Sequence, residues 1–185
     1  MFRLRHEVFV EECARTTPNE APLDRDQFDN ETAIYFLYLD EDGEMAASFR
    51  ILPTTGPHIM SEKFSHLCVE GIPVADGIFE GSKAVVREKY RKGGAVWQSI
   101  MAGVFEYCLM CGIEGLTSVV GLRLFMDRLR HDVDFRPLGP PTEVDGEQCI
   151  ALYRPVTVES LQVMRKRLGL QGPVLTWIGD LKRVA

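Results

Sequence analysis

The opening stretch FRLRHEVFVEECA sets Leu4, Val8, Phe9 and Cys13 along one side at helical spacing, with Arg3, Glu7 and Glu11 elsewhere. The chain therefore starts inside a predicted helix. After the loop TTPNEAPLDRDQFD the period changes. TAIYFLYLD and EMAASFRIL are β-branched and aromatic runs, and the DEDG between them predicts a hairpin turn. PTTGPHIM reads as a loop punctuated by Pro and Gly, SEKFSHLC as a short helix and GIFEGSKAVV as a strand. The basic loop REKYRKGG leads to Gly94, which opens a long helix from about Ala95 to Cys111. IEGLTSVVG reads as a buried strand and LRLFMDRLRHD as a helix. Beyond the break RPLGPP come a strand, EQCIALYRP, and a helix, TVESLQVMRKRLG, with Thr157 as its N-cap. This order predicts an α/β (α+β) fold, a three-layer sandwich in which a mixed, twisted sheet carries helices on both faces.

Composition narrows the picture. A chain of 185 residues is long enough to bury a core without disulfides or metals, and is expected to form one domain over 1–185. The formal net charge of -6 argues against nucleic acid as the main partner. The longest apolar run carries Gln98, Ser99 and Glu106, and the amphipathic opening is no signal peptide, so no membrane association is expected. The five cysteines lack a framework spacing, and Cys108 and Cys111 form one CxxC without a second pair, which argues against zinc. Buried thiols suit a reducing cytoplasm. His6, His58, His66 and His131 show no metal spacing, and no nucleophile–His pairing is visible; the expectation is no metal and no covalent intermediate.

Three constellations remain. Arg5 stands with Asp26 and Asp29, either as a surface ion pair or as part of a charged pocket. Arg50 and Glu80 lie inside otherwise apolar strands, where a charge is costly unless paired, used, or turned to solvent by the alternation. Lys83 and the run Arg87, Lys89, Arg91 and Lys92 lead to the Gly93–Gly94 helix start, which suits a phosphate or an acidic protein surface, or is simply a solvated loop.

The stretches RHEVFVEE, DQFD, SFRILPTTGPHIM and FEGSK, in this order and spacing, resemble the acyl-homoserine-lactone synthases, the autoinducer synthases of bacterial quorum sensing. The resemblance implies a fold related to the GNAT acetyltransferases. It also implies an acyltransferase that makes an N-acyl-L-homoserine lactone from S-adenosylmethionine and an acyl thioester. The methionine amine attacks the thioester directly, and the methionine carboxylate then closes the lactone and releases methylthioadenosine. The acyl donor would be an acyl carrier protein or a coenzyme A thioester. By this resemblance Arg5, Phe9, Asp26, Phe28 and Asp29 shape the adenosylmethionine pocket, with Arg15 beside it where the family has Trp. Glu80 takes a proton from the amine directly or through water, while Arg50 and Lys83 complete the catalytic set; the family has Arg at the position of Lys83. A bulge near Glu80 would aim backbone amides at the thioester oxygen. Met101, Phe105, Thr117 and Val119 are the expected acyl-chain wall, and Arg87, Lys89, Arg91 and Lys92 the expected carrier-docking run. Tyr90 to Ala95 faintly resembles the GNAT pyrophosphate loop, one residue short, which would favour coenzyme A. The family usually has a strand and half a helix before the point of Met1, so its N-terminal strand is expected to be missing. Two further readings stay open: a GNAT-like N-acyltransferase acting on another amine, and a non-catalytic relative that binds an acyl carrier or ligand.

Overall fold

The computed structural model describes residues 1–12, 22–128 and 134–176. Their frame is one seven-stranded mixed sheet. It consists of β1 (Ile34–Leu39), β2 (Met45–Pro53), β3 (Ile78–Val86), β4 (Gly115–Gly121), β5 (Arg136–Pro137), β6 (Thr142–Val144) and β7 (Glu147–Pro155). The order runs β1-β2-β3-β4-β7, with β5 and β6 both paired to β7. All pairings are antiparallel except β3 with β4, which run parallel only over Ile78–Glu80 and Gly115–Thr117. Past Glu80 and Thr117 the two strands part, and that opening positions the site.

Alternation along β2 divides the two layers. Ala47, Phe49 and Ile51 face the main core, packed under α3 (Ala95–Cys111) and α5 (Val158–Leu168) with Phe79, Phe105, Leu116 and Leu161. Arg50 and Ser48 face the other way, as the pleat requires. On that second face lie α1 (Phe2–His6) and α2 (Ile59–Lys63), where Leu4 and Val8 pack on Val85, and Met60 and Leu67 on Ala151. The predicted three-layer sandwich is therefore what forms. α4 (Leu122–Arg128) follows β4 directly, and Phe125 buries against Ile150 and Leu152.

Sequence-predicted elements recur with local differences. The long helix spans Ala95–Cys111, opened by left-handed Gly94 and closed by left-handed Gly112. Thr157 caps α5 by accepting the Ser160 amide at 3.1 Å. The opening helix keeps its apolar side but widens into π-helical turns over Glu7–Glu12. The helix expected over SEKFSHLC instead starts earlier, at Ile59, and ends at Lys63, followed by a 3₁₀ turn over Ser65–Leu67. The cause is tertiary. Five residues are too few to hold a helix alone, and the amides of Ile59 and Met60 are capped by a carboxylate from β3. β5 falls inside the break RPLGPP and β6 just after it, and neither shows in the sequence because two or three residues carry no period.

Candidate active site

Arg50 points from the middle of β2 into the second layer and is fully buried, so alternation does not turn it to solvent. A buried guanidinium must find carboxylates, and the DQFD loop supplies them. Arg50 Nη1 donates to Asp26 Oδ1 at 2.7 Å and to Asp29 Oδ1 at 2.8 Å, while Nε donates to Ser82 Oγ at 3.1 Å. Arg5, 1% exposed on α1, grips Asp29 with both terminal nitrogens at 2.8 and 3.0 Å and donates Nε to Asp24 at 2.9 Å. The reading of Arg5, Asp26 and Asp29 as a surface ion pair is thus overturned: Arg5 and Asp29 are buried and Asp26 is partly so. The loop caps itself. Asp26 accepts the Phe28 amide at 3.0 Å and Asp29 accepts the Asp26 amide at 2.9 Å. Phe28 is buried, its ring 6.0 Å from the Arg50 guanidinium carbon, and pins the loop to the sheet.

Two members of this network were not singled out from sequence. Asp24 is buried between Arg5 and Lys83, whose Nζ lies 2.8 Å from Asp24 Oδ2 and 3.4 Å from Asp26. Burial works against its charge, but Lys83 and Arg5 hold its carboxyl below the usual range. Tyr35 on β1 donates its hydroxyl to Asp29 Oδ1 at 2.8 Å, and burial beside that carboxylate pushes the phenol up to about 12. Asp24 had a signal, being the first acid of DRDQFD. Tyr35 had none, because only the pairing of β1 with β2 sets it opposite Arg50.

Burial alone would raise Asp29's pKa, yet the donors from Arg5, the Asp26 amide and Tyr35 drive it well below the usual carboxylate range. A depressed pKa stabilises the fold above the unfolded value of about 3.9, and that contribution is lost as pH falls through the folded value. Asp29→Asn should therefore lower stability by an amount that is constant above about pH 5 and shrinks in strong acid. Urea unfolding of both proteins between pH 2 and 7 checks this; a pH-independent difference would sink it.

Glu80, 2% exposed, faces the same layer from β3. Its Oε2 accepts the Ile59 amide at 2.9 Å and Oε1 the Met60 amide at 2.6 Å, so the carboxylate sits on the first turn of α2. Burial raises its pKa, opposed in part by those amides and by the Arg50 guanidinium. Gly81 follows, and a Cβ there would lie 2.5 Å from the Phe49 ring, so the strand approaches that ring only with glycine. The expected bulge is present just beyond. Val85 pairs with Ser48 and Ser82 with Arg50, which leaves Lys83 and Ala84 opposite Phe49 alone, with Lys83 at φ 51°.

Where β3 and β4 part, a cleft of about 180 Å³ opens between Phe9, Gly81, Lys83, Thr117, Val119 and Met101, extending toward Leu124, Phe135 and Arg154. Met101, Thr117 and Val119, three of the residues expected to form an acyl-chain wall, line this cleft. Phe105 does not: it is fully buried in the core, under the Arg154 guanidinium at 4.6 Å, because its turn of α3 faces the sheet below the opening. Phe9 and Lys83 border both the cleft and the charged cluster, with Lys83 Nζ 5.2 Å from the Phe9 ring. The basic run is largely engaged within the chain. Arg87 reaches Glu7 and Glu44 at 3.3 and 3.4 Å, Lys89 reaches Glu44 at 3.7 Å and Arg91 pairs with Glu12, while Lys92 is exposed. Arg15 and His131 lie outside the described residues. Among the described residues no group of three or more His, Cys, Asp or Glu could hold a metal ion.

The family model for the autoinducer synthases matches residues 1–164. The chain belongs to that family. An isovaleryl-homoserine lactone synthase of Bradyrhizobium diazoefficiens is 35% identical to this autoinducer synthase over 174 residues, spanning 91% of this chain and 77% of that protein. Among solved structures, the CoA-dependent acyl-homoserine lactone synthase BjaI, with SAM and isopentyl-CoA, is similar at a TM-score of 0.91 and 31% identity. That match covers 99% of this autoinducer synthase and 87% of BjaI. An N-acetyltransferase from Lactobacillus plantarum, at 20% identity and a TM-score of 0.58, shares the fold alone, over 84% of this chain and 88% of that one. The autoinducer synthase fold is thus GNAT-like.

Proposed function

We propose that the protein joins the amine of S-adenosylmethionine to an acyl group delivered as a coenzyme A thioester, and releases an N-acyl-L-homoserine lactone and methylthioadenosine. Its relatives are acyl-homoserine-lactone synthases, and one of them is solved with SAM and isopentyl-CoA. The observation that carries the reading is the parting of β3 from β4. It sets a cluster of fixed charges on one side of the opening and an apolar-walled cleft on the other, with Phe9 and Lys83 touching both. A sulfonium amino acid carries charges of both signs, and Arg5, Asp24, Asp26, Asp29, Arg50 and Lys83 present both signs at that edge. The nucleophile is the neutral amine. Glu80 removes its proton through the water or side chains between them, its burial making the carboxylate a stronger base than one in solvent. Arg50 and Lys83 hold the carboxylates that orient the ligand, and the bulge at Lys83–Ala84 turns backbone amides toward the position of the thioester oxygen. Phosphates of the donor would meet the start of α3, where Gly93 and Gly94 are both left-handed and Lys92 is exposed.

No described helix is long and apolar enough to cross a membrane. The free thiols Cys68 and Cys108, both buried, suit the cytoplasm as its place of work. The whole chain acts as one synthase domain.

The cleft also bounds the acyl group. A dry cavity of about 150 Å³ holds one benzene, so about 180 Å³ suits an acyl tail of roughly that size. Purified protein given S-adenosylmethionine and a panel of acyl-CoA donors should release methylthioadenosine with a lactone, and should prefer short or branched donors over octanoyl-CoA and longer ones by about tenfold in kcat/KM. Thioester consumption without methylthioadenosine would mean another acceptor amine and overturn the reading. Turnover with acyl carrier protein donors alone would move the donor, not the reaction.

A further inference from the structure

The longest helix carries a buried acid that the chemistry above leaves unused. Glu106 lies in the middle of α3 and is 5% exposed. Its Oε1 accepts Arg165 Nη2 of α5 at 2.7 Å and the Val174 amide at 3.2 Å. Its Oε2 accepts the Val174 and Leu175 amides at 2.9 and 3.1 Å. A carboxylate on a helix that otherwise buries apolar residues is costly unless it is hydrogen-bonded, and a guanidinium with two successive amides satisfies this one. The amides arrive by a reversal of the chain. α5 ends at left-handed Gly169, and the following segment brings Val174 and Leu175 against the main core. Gly103 lets that segment close in, since a Cβ there would lie 3.1 Å from Leu175 Cδ2 and 3.6 Å from Val174 Cγ2. Gly103 and Glu106 are three residues apart and share one side of the helix. Met101, which lines the cleft, precedes Gly103 by two residues and so stands about 200° away around the helix. The segment therefore rests on the back of α3, behind the acyl wall.

We propose that Glu106 is a positioning residue for acyl-donor selection: by clasping Val174 and Leu175 it straps residues 170–176 across the back of α3 and fixes how far Met101 and Trp97 stand from β4. This rests on the reading of the cleft as the acyl site. Trp97 and Met101 are the α3 side of that cleft, and Leu116, Thr117 and Val119 are its β4 side. The separation between them decides which tails fit, because one methylene in an apolar pocket is worth about tenfold or more in discrimination. A strap pressed on the back of α3 holds the cleft narrow, and a loosened one lets α3 back away and admit longer tails. A carboxylate is required for the clasp. Both of its oxygens accept, whereas a carboxamide accepts with one oxygen and would turn its NH₂ toward either Arg165 or the two amides. The clasp shares no hydrogen bond with the charged cluster, whose members lie on α1, β2, β3 and the DQFD loop.

Glu106→Gln and Leu175→Ala test this by two routes. The first weakens the clasp, and the second keeps the partners of the carboxylate but removes the side chain seated over Gly103. In both, amide hydrogen exchange at Val174 should quicken by about tenfold or more. The preference in kcat/KM for isovaleryl-CoA over octanoyl-CoA should shrink by about fivefold or more, chiefly through a lower KM for octanoyl-CoA. Affinity for S-adenosylmethionine should stay within about twofold, because its cluster is distant from the clasp. Where Glu106→Gln does not fold, Leu175→Ala decides alone. Unchanged exchange at Val174, or faster exchange with the parent's donor preference, would make the clasp a contact of the fold only and overturn the proposal. If no donor yields a lactone, the proposed function fails by itself. Calorimetric affinities for the same two thioesters then carry the preference, and a ratio equal to the parent's overturns the proposal in the same way.

Discussion

Glu80→Gln is expected to lower kcat by at least about 100-fold, within the usual contribution of a positioned base, while the affinity for S-adenosylmethionine stays within a few-fold. Gln has the shape of Glu but cannot take a proton from the amine. It also cannot satisfy the first turn of α2 as Glu80 does, since the carboxylate accepts two amides and the carboxamide accepts with its oxygen alone. One amide is left facing an NH₂ group, at a cost of about 1–3 kcal/mol. The variant should therefore melt a few degrees lower but remain folded, and binding should survive because Arg5, Arg50, Asp26 and Asp29 are held on α1, β2 and the DQFD loop with no bond to Glu80 among those that fix them. Single-turnover kinetics with a short acyl-CoA, read beside calorimetric binding and a melting curve, separate the two effects. A kcat within threefold of the parent's would take the proton-transfer role away from Glu80.

Arg50→Met should act on stability more than any other single change in the site. The guanidinium is fully buried and bridges Asp26 and Asp29 from β2. Removing it leaves two carboxylates facing each other, with Arg5 and Lys83 as the remaining counter-charges. Stranding a buried charge costs about 3–5 kcal/mol, which for a chain of this length is a fall of about 10 °C in Tm. Asp26 is the more exposed of the two carboxylates and will move toward solvent, opening the DQFD loop and drawing Phe28 off the sheet. Adenosylmethionine binding should be lost with it. Arg50→Lys should recover part of the stability, since charge returns without the fork that spans both acids. A Tm within 2 °C of the parent's in Arg50→Met would mean that the cluster holds neither the loop nor the fold.

Most of the strands and helices were legible from period and punctuation, because each is long enough to show its pattern. β2, β3 and β7 each have nine residues and α3 has seventeen. The exceptions, α2, β5 and β6, are short elements held by partners distant in the chain: a carboxylate from β3 for the first, and β7 for the other two. The same distinction runs through the site. Arg5, Asp26, Asp29, Arg50 and Glu80 could be named from residue type, because an ionised group inside an apolar strand or beside a turn asks for a partner. Whether that partner was protein or solvent could not be read, since alternation along one strand says nothing about what covers its face.

By itself the sequence determined the order of elements, the chemical inventory and, through SFRILPTTGPHIM and FEGSK, the family. Local patterns and residue types carry that information without any contact between distant segments. Only the tertiary structure decided that Arg5 and Arg50 share Asp29, that Asp24 belongs with Lys83, that Phe105 is core and that the first turn of α2 holds Glu80. Each of these depends on the packing of α1 and α2 against one face of the sheet and on the parting of β3 from β4. Those are long-range arrangements, set by how the buried faces close on one another, and no window along the chain contains them.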